Sequence, residues 1–117
     1  MSNNFFVFIP IIFLSIIAKG QNSSSDNSPA VQLSNHIAQK MKDTLILSND
    51  QKIQIYSANM QIHEWKTEVR QRYNGSDSLR YYLQRIENRR DSLYRSVLAD
   101  EKYLLYLQKK STLISNN

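Results

Sequence analysis

The chain contains only two glycines, Gly20 and Gly75, and two prolines, Pro10 and Pro29. A fold with many tight turns needs more of both, because Gly supplies positive φ and Pro presets the first corner of a turn. Leu, Ile, Gln, Lys, Arg and Tyr are plentiful instead. An all-α chain is therefore expected, and 117 residues suffice for one domain. No cysteine is present, so neither disulfides nor thiol chemistry is available.

The N-terminal segment stands apart. FFVFIPIIFLSIIA, from Phe5 to Ala18, is an apolar run of 14 residues, short of the roughly 20 that span a bilayer as a helix. Ala18 and Gly20 put small residues at the −3 and −1 positions of a cleavage site before Gln21. The layout predicts a signal peptide over 1–20 and an exported chain, periplasmic or secreted, with no stable membrane span after cleavage. The n-region Met1-Ser2-Asn3-Asn4 carries no Lys or Arg, and an uncleaved anchor is the alternative. No Cys follows the run, which excludes a bacterial lipid anchor. Export takes nucleic acid out of reach as a partner. The formal charge of +5 falls by one with Lys19. The remaining surplus serves solubility or attraction to acidic surfaces and acidic unfolded chains.

QNSSSDNSPA, residues 21–30, reads as a disordered leader. Asn22-Ser23-Ser24 and Asn74-Gly75-Ser76 match the glycosylation sequon, which matters only in a eukaryotic secretory route. Beyond the leader, Leu33, Ile37 and Met41 recur every fourth residue, so a first helix is expected from Val31 to about Lys42. Ser48 followed by Gln51 is a capping box: the Ser hydroxyl accepts from a free backbone N–H, and Gln reaches back to the cap's own N–H. Asp50 adds negative charge at the positive end of the helix dipole. Leu47 can staple toward Lys52 or Ile53. The second helix then runs to Tyr73, where Asn74-Gly75 stops it. Such a helix is about 37 Å long. Asp77 or Ser76 caps a third helix to Val97, with Leu79, Leu83, Ile86, Leu93 and Val97 as its stripe and Tyr82 and Tyr94 flanking. Arg90 falls in that stripe and reads as a snorkelling side chain at an edge. A break at Leu98–Lys102 precedes a short fourth helix to Lys110, and residues 111–117 read as a frayed tail. The helical domain is thus 31–110.

The second helix carries two apolar faces. Ile55, Ala58, Ile62, Trp65, Val69 and Tyr73 form one, the natural core face toward the third helix. Ile53, Tyr56, Met60 and His63 form another, roughly opposite. The chain's own first or fourth helix can cover it, or a second subunit, or it stays open and binds. Met repacks readily and Tyr tolerates water and oil, which suits binding. A thin helical chain of this size buries a modest share of its surface, so self-association is expected. All seven arginines lie between Arg70 and Arg95, interleaved with Tyr73, Tyr81, Tyr82 and Tyr94. They read either as a solvated face with local pairs such as Glu87–Arg90 and Asp91–Arg95, or as a binding surface.

No catalytic constellation emerges, and an enzyme is not expected. His63-Glu64 begins like a zinc protease motif, but Thr67 stands where the second His belongs. His36 and His63 without Cys make no standard zinc site. No phosphate-cradling Gly-rich loop occurs, and Glu64 and Glu68 read as solvated carboxylates. No cofactor, metal or catalytic residue is expected.

Leu47-Ser48-Asn49-Asp50-Gln51 resembles the Leu-Thr-x-x-Gln signature of the Spy/CpxP family of bacterial periplasmic proteins, with Ser for Thr. That family carries the signature twice. Leu98-Ala99-Asp100-Glu101-Lys102, followed by Tyr103-Leu104-Leu105-Tyr106, looks like a degenerate second copy: Ala99 cannot cap, Lys102 replaces Gln, and capping passes to Asp100. The resemblance covers about Val31 to Lys110. It implies four helices around a long central hairpin, and an antiparallel, cradle-like dimer. It further implies an ATP-independent stress-response chaperone holding unfolded or partly folded envelope proteins, or alternatively an adaptor or regulator binding a sensor-kinase domain. A related branch of the family binds zinc, but His36 and His63 do not reproduce a recognisable site. Ile53, Tyr56 and Met60 are then the candidate dimer or client surface, with Arg85, Arg89 and Arg90 supplying charge. Leu47, Ser48, Gln51, Leu98 and Asp100 are the candidate motif and capping residues.

Overall fold

A computed structural model describes residues 28–115. The expected signal peptide, residues 21–27 of the expected leader and residues 116–117 lie outside them. The described residues form four helices and no strand: α1 (Pro29–Leu45), α2 (Asn49–Tyr73), α3 (Ser78–Val97) and α4 (Asp100–Leu113). None of the four is long and apolar enough to cross a membrane.

The helix boundaries follow local chemistry. Ser28 caps α1, its hydroxyl accepting from the Val31 N–H at 3.2 Å, and Pro29 occupies the first turn, where its missing N–H costs nothing. The helix therefore begins before Val31, and Ser28–Ala30 belong to the fold rather than to a leader. At its far end Ile46 takes the left-handed conformation, φ 57°, and the N–H groups of Ile46 and Leu47 both return to the Lys42 carbonyl. The Ser48–Gln51 capping box is fully formed, with the two reciprocal bonds at 3.0 and 3.1 Å. The α2–α3 turn uses Gly75 at φ +78°, which Gly adopts without steric cost. Of the two candidate caps there, Ser76 is engaged, its hydroxyl accepting from the Ser78 N–H at 3.0 Å, while the Asp77 side chain makes no capping bond.

The four helices close a ring. α2 lies between α1 and α3, and α4 returns to touch both α1 and α3. Ile37, Met41, Leu45, Leu47, Ile55, Tyr94, Leu98, Tyr106 and Leu113 fill the centre. Two expectations change here. Leu33 is 36% exposed, and α1 buries Ser34, Ile37, Ala38, Met41 and Leu45, so its inner stripe is rotated away from Leu33. The C-terminal segment is not frayed at residues 111–113: α4 continues through them, because Leu113 is a core residue at 2% exposure.

Burial divides the α2–α3 hairpin in two. The buried residues of α2 stop at Ile62 and those of α3 begin at Ile86. Beyond these points Trp65, Val69, Tyr73, Leu79, Tyr82 and Leu83 are only half-buried. The hairpin thus leaves the four-helix base as a two-helix arm.

Candidate functional site

At the base, the two motif segments meet. Leu47 and Leu98 are buried in the same core. Gln51 completes its capping box through Oε1 and donates from Nε2 to the Val97 carbonyl at 3.4 Å. Lys102 in turn donates to the carbonyls of Leu45 and Ile46. The fifth residue of each segment therefore satisfies backbone acceptors at the end of the helix preceding the other segment. Helix C-termini leave such carbonyls unpaired, and a cation there also suits the dipole. Asp100 does not cap α4. Ala99 occupies the cap position without a side-chain bond, and Asp100 sits in the first turn, paired at 3.2 Å with the exposed Arg95. Leu47 is buried in the core, while Ile53 stands exposed.

Along α1 and α2 an open groove is lined by Val31, Asn35, Asn49, Lys52, Ile53 and Tyr56. Lys52 bridges the helices to Gln39 at 2.6 Å, and Lys42 to Asn49 at 2.6 Å. Ile53 stands 58% exposed. Tyr56 is half-buried against the core, Met60 is half-buried, and His63 is exposed. The second apolar face of α2 is therefore partly covered at Tyr56 and Met60 and open at Ile53.

The arginines divide differently from expectation. Arg85 and Arg89 are exposed. The Arg85 guanidinium lies 5.8 Å from the centroid of Tyr81, and that of Arg89 lies 3.9 Å from Trp65. Tyr82 stacks on Tyr73 with centroids 4.2 Å apart and meets Tyr81 edge-on. Arg90 does not snorkel. It is 4% exposed, and Nε and Nη2 grip Glu87 at 2.9 and 3.4 Å while Nη1 donates to the Tyr94 hydroxyl at 3.0 Å. The Tyr94 hydroxyl donates to Asn59, whose amide donates to the Ser34 carbonyl at 3.0 Å. Lys66 closes the far end on Glu87 at 2.5 Å. This polar layer joins α1, α2 and α3 where the base meets the arm.

Its electrostatics are consistent. Burial pushes the Glu87 carboxyl up, but hydrogen bonds from Arg90 and Lys66 outweigh it and hold the group below its ordinary value. Burial works against the Arg90 charge, and Tyr94 and Glu87 reverse that, so its pKa is raised. Burial pushes the Tyr94 hydroxyl up to about 12. Arg90 is thus committed to the interior, and the exposed charge falls to Arg85 and Arg89. Of the two expected pairs, Glu87–Arg90 forms. Asp91 instead receives Lys110 at 2.8 Å and the Tyr106 hydroxyl at 2.7 Å.

The sequence-derived candidates therefore form separate groups: Ile53 and Tyr56 beside α1, Arg85 and Arg89 over the aromatic rings of the arm. Asn59, Ser34 and Lys102 were not among them. Asn59 lies between Ile55 and Ile62 on the inner stripe, facing a helix whose own stripe holds Arg90. Two polar residues interrupting facing stripes signal a buried polar layer, joined here through the Tyr94 hydroxyl. No protein-family model matches the chain, and neither a curated protein nor a solved structure matches it.

Proposed function

We propose that the chain is an exported, ATP-independent helical chaperone of the Spy/CpxP type, working in the periplasm as an antiparallel, cradle-like dimer. The observation that carries this reading is the open α1–α2 groove, where Ile53 is 58% exposed beside Tyr56 and Lys52 on a chain whose formal charge is +4 without residues 1–20. A groove that offers Val31, Ile53 and Tyr56 beside the Lys52 ammonium can hold many unfolded segments without reading their sequence. Exposed Arg85 and Arg89 add charge, and charge speeds encounter. The crossing of Gln51 and Lys102 supports treating residues 98–102 as a second copy of the motif.

The test is light scattering of two unrelated denatured clients diluted into the protein, purified from cells expressing the full sequence, without ATP. Aggregation of both is suppressed, and salt and the Ile53→Ser or Tyr56→Ser/Met60→Ser variants weaken the effect. A folded, helical protein that protects neither client overturns the chaperone reading in favour of an adaptor for an envelope-stress sensor. Sedimentation of the same sample tests the dimer.

A further inference from the structure

A second cleft, of about 670 Å³, opens along the arm. Lys66, Arg70, Leu79, Arg80, Leu83 and Glu87 line it, with Asp77 at the turn. Its charges are unequally matched. Glu87 is already held by Lys66 and Arg90. Arg70 and Arg80 are exposed and make no ion pair among the described residues. Asp77 is the one opposing carboxylate not so held, and it lies beside the positive N-terminus of α3. Leu79 and Leu83, one turn apart on α3, are half-buried and supply an apolar strip beside the two guanidiniums.

We propose that this arm cleft docks an acidic segment of another polypeptide, one carrying a large apolar residue next to its carboxylates. Guanidinium groups bind carboxylates in a two-pronged geometry, and the neighbouring Leu pair takes the apolar side chain. Inorganic anions leave the Leu pair unused. The net charge of a second copy of this chain, +4 without residues 1–20, does not favour it at the two guanidiniums. The proposal deepens the chaperone reading by naming the client segment that the arm selects, and it rests on that reading.

The experiment is fluorescence anisotropy with a labelled peptide of Glu, Leu and Ser, against a matched peptide with Lys for every Glu. The protein is again purified from cells expressing the full sequence. The acidic peptide binds, salt weakens it, and the Lys peptide does not bind. Arg70→Glu/Arg80→Glu weakens binding by about tenfold or more. Arg72→Glu/Lys109→Glu, equal in charge change but off the cleft, retains binding. No binding by the unaltered protein, equal binding by the cleft variant, or equal loss in the control variant overturns the proposal. Light scattering separates the two readings. Client protection without peptide binding sinks the cleft alone, and peptide binding without protection sinks the chaperone alone.

Discussion

Lys102 Nζ donates to the Ile46 carbonyl at 3.0 Å, so a side chain from the last helix closes the end of the first. The Leu45 carbonyl shares the same ammonium group. These acceptors belong to the last turn of α1, which has no further N–H to offer them. Lys102→Met keeps most of the aliphatic stem and removes the donor. It should cost about 1–2 kcal/mol, the range for a hydrogen bond to a charged group with part of its exposure retained. Urea denaturation followed by circular dichroism reads this, and an unchanged midpoint would remove Lys102 from the cap.

Ile46 itself is a strained solution. It sits at φ 57° with its side chain 74% exposed. A β-branched residue in the left-handed region costs about 1–2 kcal/mol, and Gly there costs only its extra freedom in the unfolded chain. Ile46→Gly should therefore stabilise the fold by about 1 kcal/mol. A lower midpoint would mean that the Ile46 side chain has a covering partner that compensates for the strain.

The Ser48–Gln51 box offers a coupling test. Each side chain serves the other's backbone, and Gln51 also reaches Val97. Ser48→Ala should cost about 1 kcal/mol and leave client protection intact in the folded protein. Gln51→Ala should cost more than Ser48→Ala, because it loses the tie to α3 as well. Each bond joins one side chain to the other residue's backbone N–H, so neither substitution removes the other bond and the double variant should cost about the sum of the two. A double variant no costlier than Gln51→Ala alone would contradict two separate bonds.

How far the sequence foretold this arrangement depends on whether the signal was local. The Ser48 cap and the Gly75 turn lie within a few residues of the backbone groups that they serve, so the α2 boundaries and the hairpin were legible. The fates of Arg90 and Lys102 were not. A lone Arg in a stripe reads as an edge residue until Asn59 of α2 is known to hold the Tyr94 hydroxyl to which Arg90 donates. Lys102 read as a flawed Gln because its acceptors, Leu45 and Ile46, lie more than fifty residues away in the chain. Residues 111–113 read as frayed because their polar neighbours hide one buried anchor, Leu113.

The polar layer makes a pH prediction. Glu87 is held below its ordinary value of 4.5. The folded state therefore binds this proton less readily than the unfolded chain. Its stabilisation is complete above the ordinary value and is lost as pH falls through the lowered one. Glu87→Gln should be less stable than the parent near neutrality, and the gap should close on acidification below the ordinary carboxylate range. Arg90→Met should cost about 2–3 kcal/mol at neutral pH, less than a fully buried broken pair because Glu87 keeps Lys66 and partial exposure. Urea midpoints across an acidic pH series read both. A pH-independent gap for Glu87→Gln would assign its effect to packing.

The arm should open before the base. Residues 63–73 of α2 bury no side chain fully, whereas Ile55, Ala58, Asn59 and Ile62 of the same helix are buried against neighbours. A helix segment resting on one partner has fewer apolar contacts to lose in a local opening. Native-state hydrogen exchange should therefore show amides of 63–73 and 78–85 exchanging through an opening of lower free energy than those of 52–62 and 86–97. Trp65, the single tryptophan, supplies a second readout, since the Arg89 guanidinium lies against its ring. Arg89→Ala should lower the opening free energy of the arm by about 0.5–1 kcal/mol, the worth of an exposed cation–π contact, and leave base amides unchanged. Equal protection along the whole of α2 would mean that arm and base unfold as one unit, and the polar layer at Asn59, Arg90 and Tyr94 would then mark no boundary.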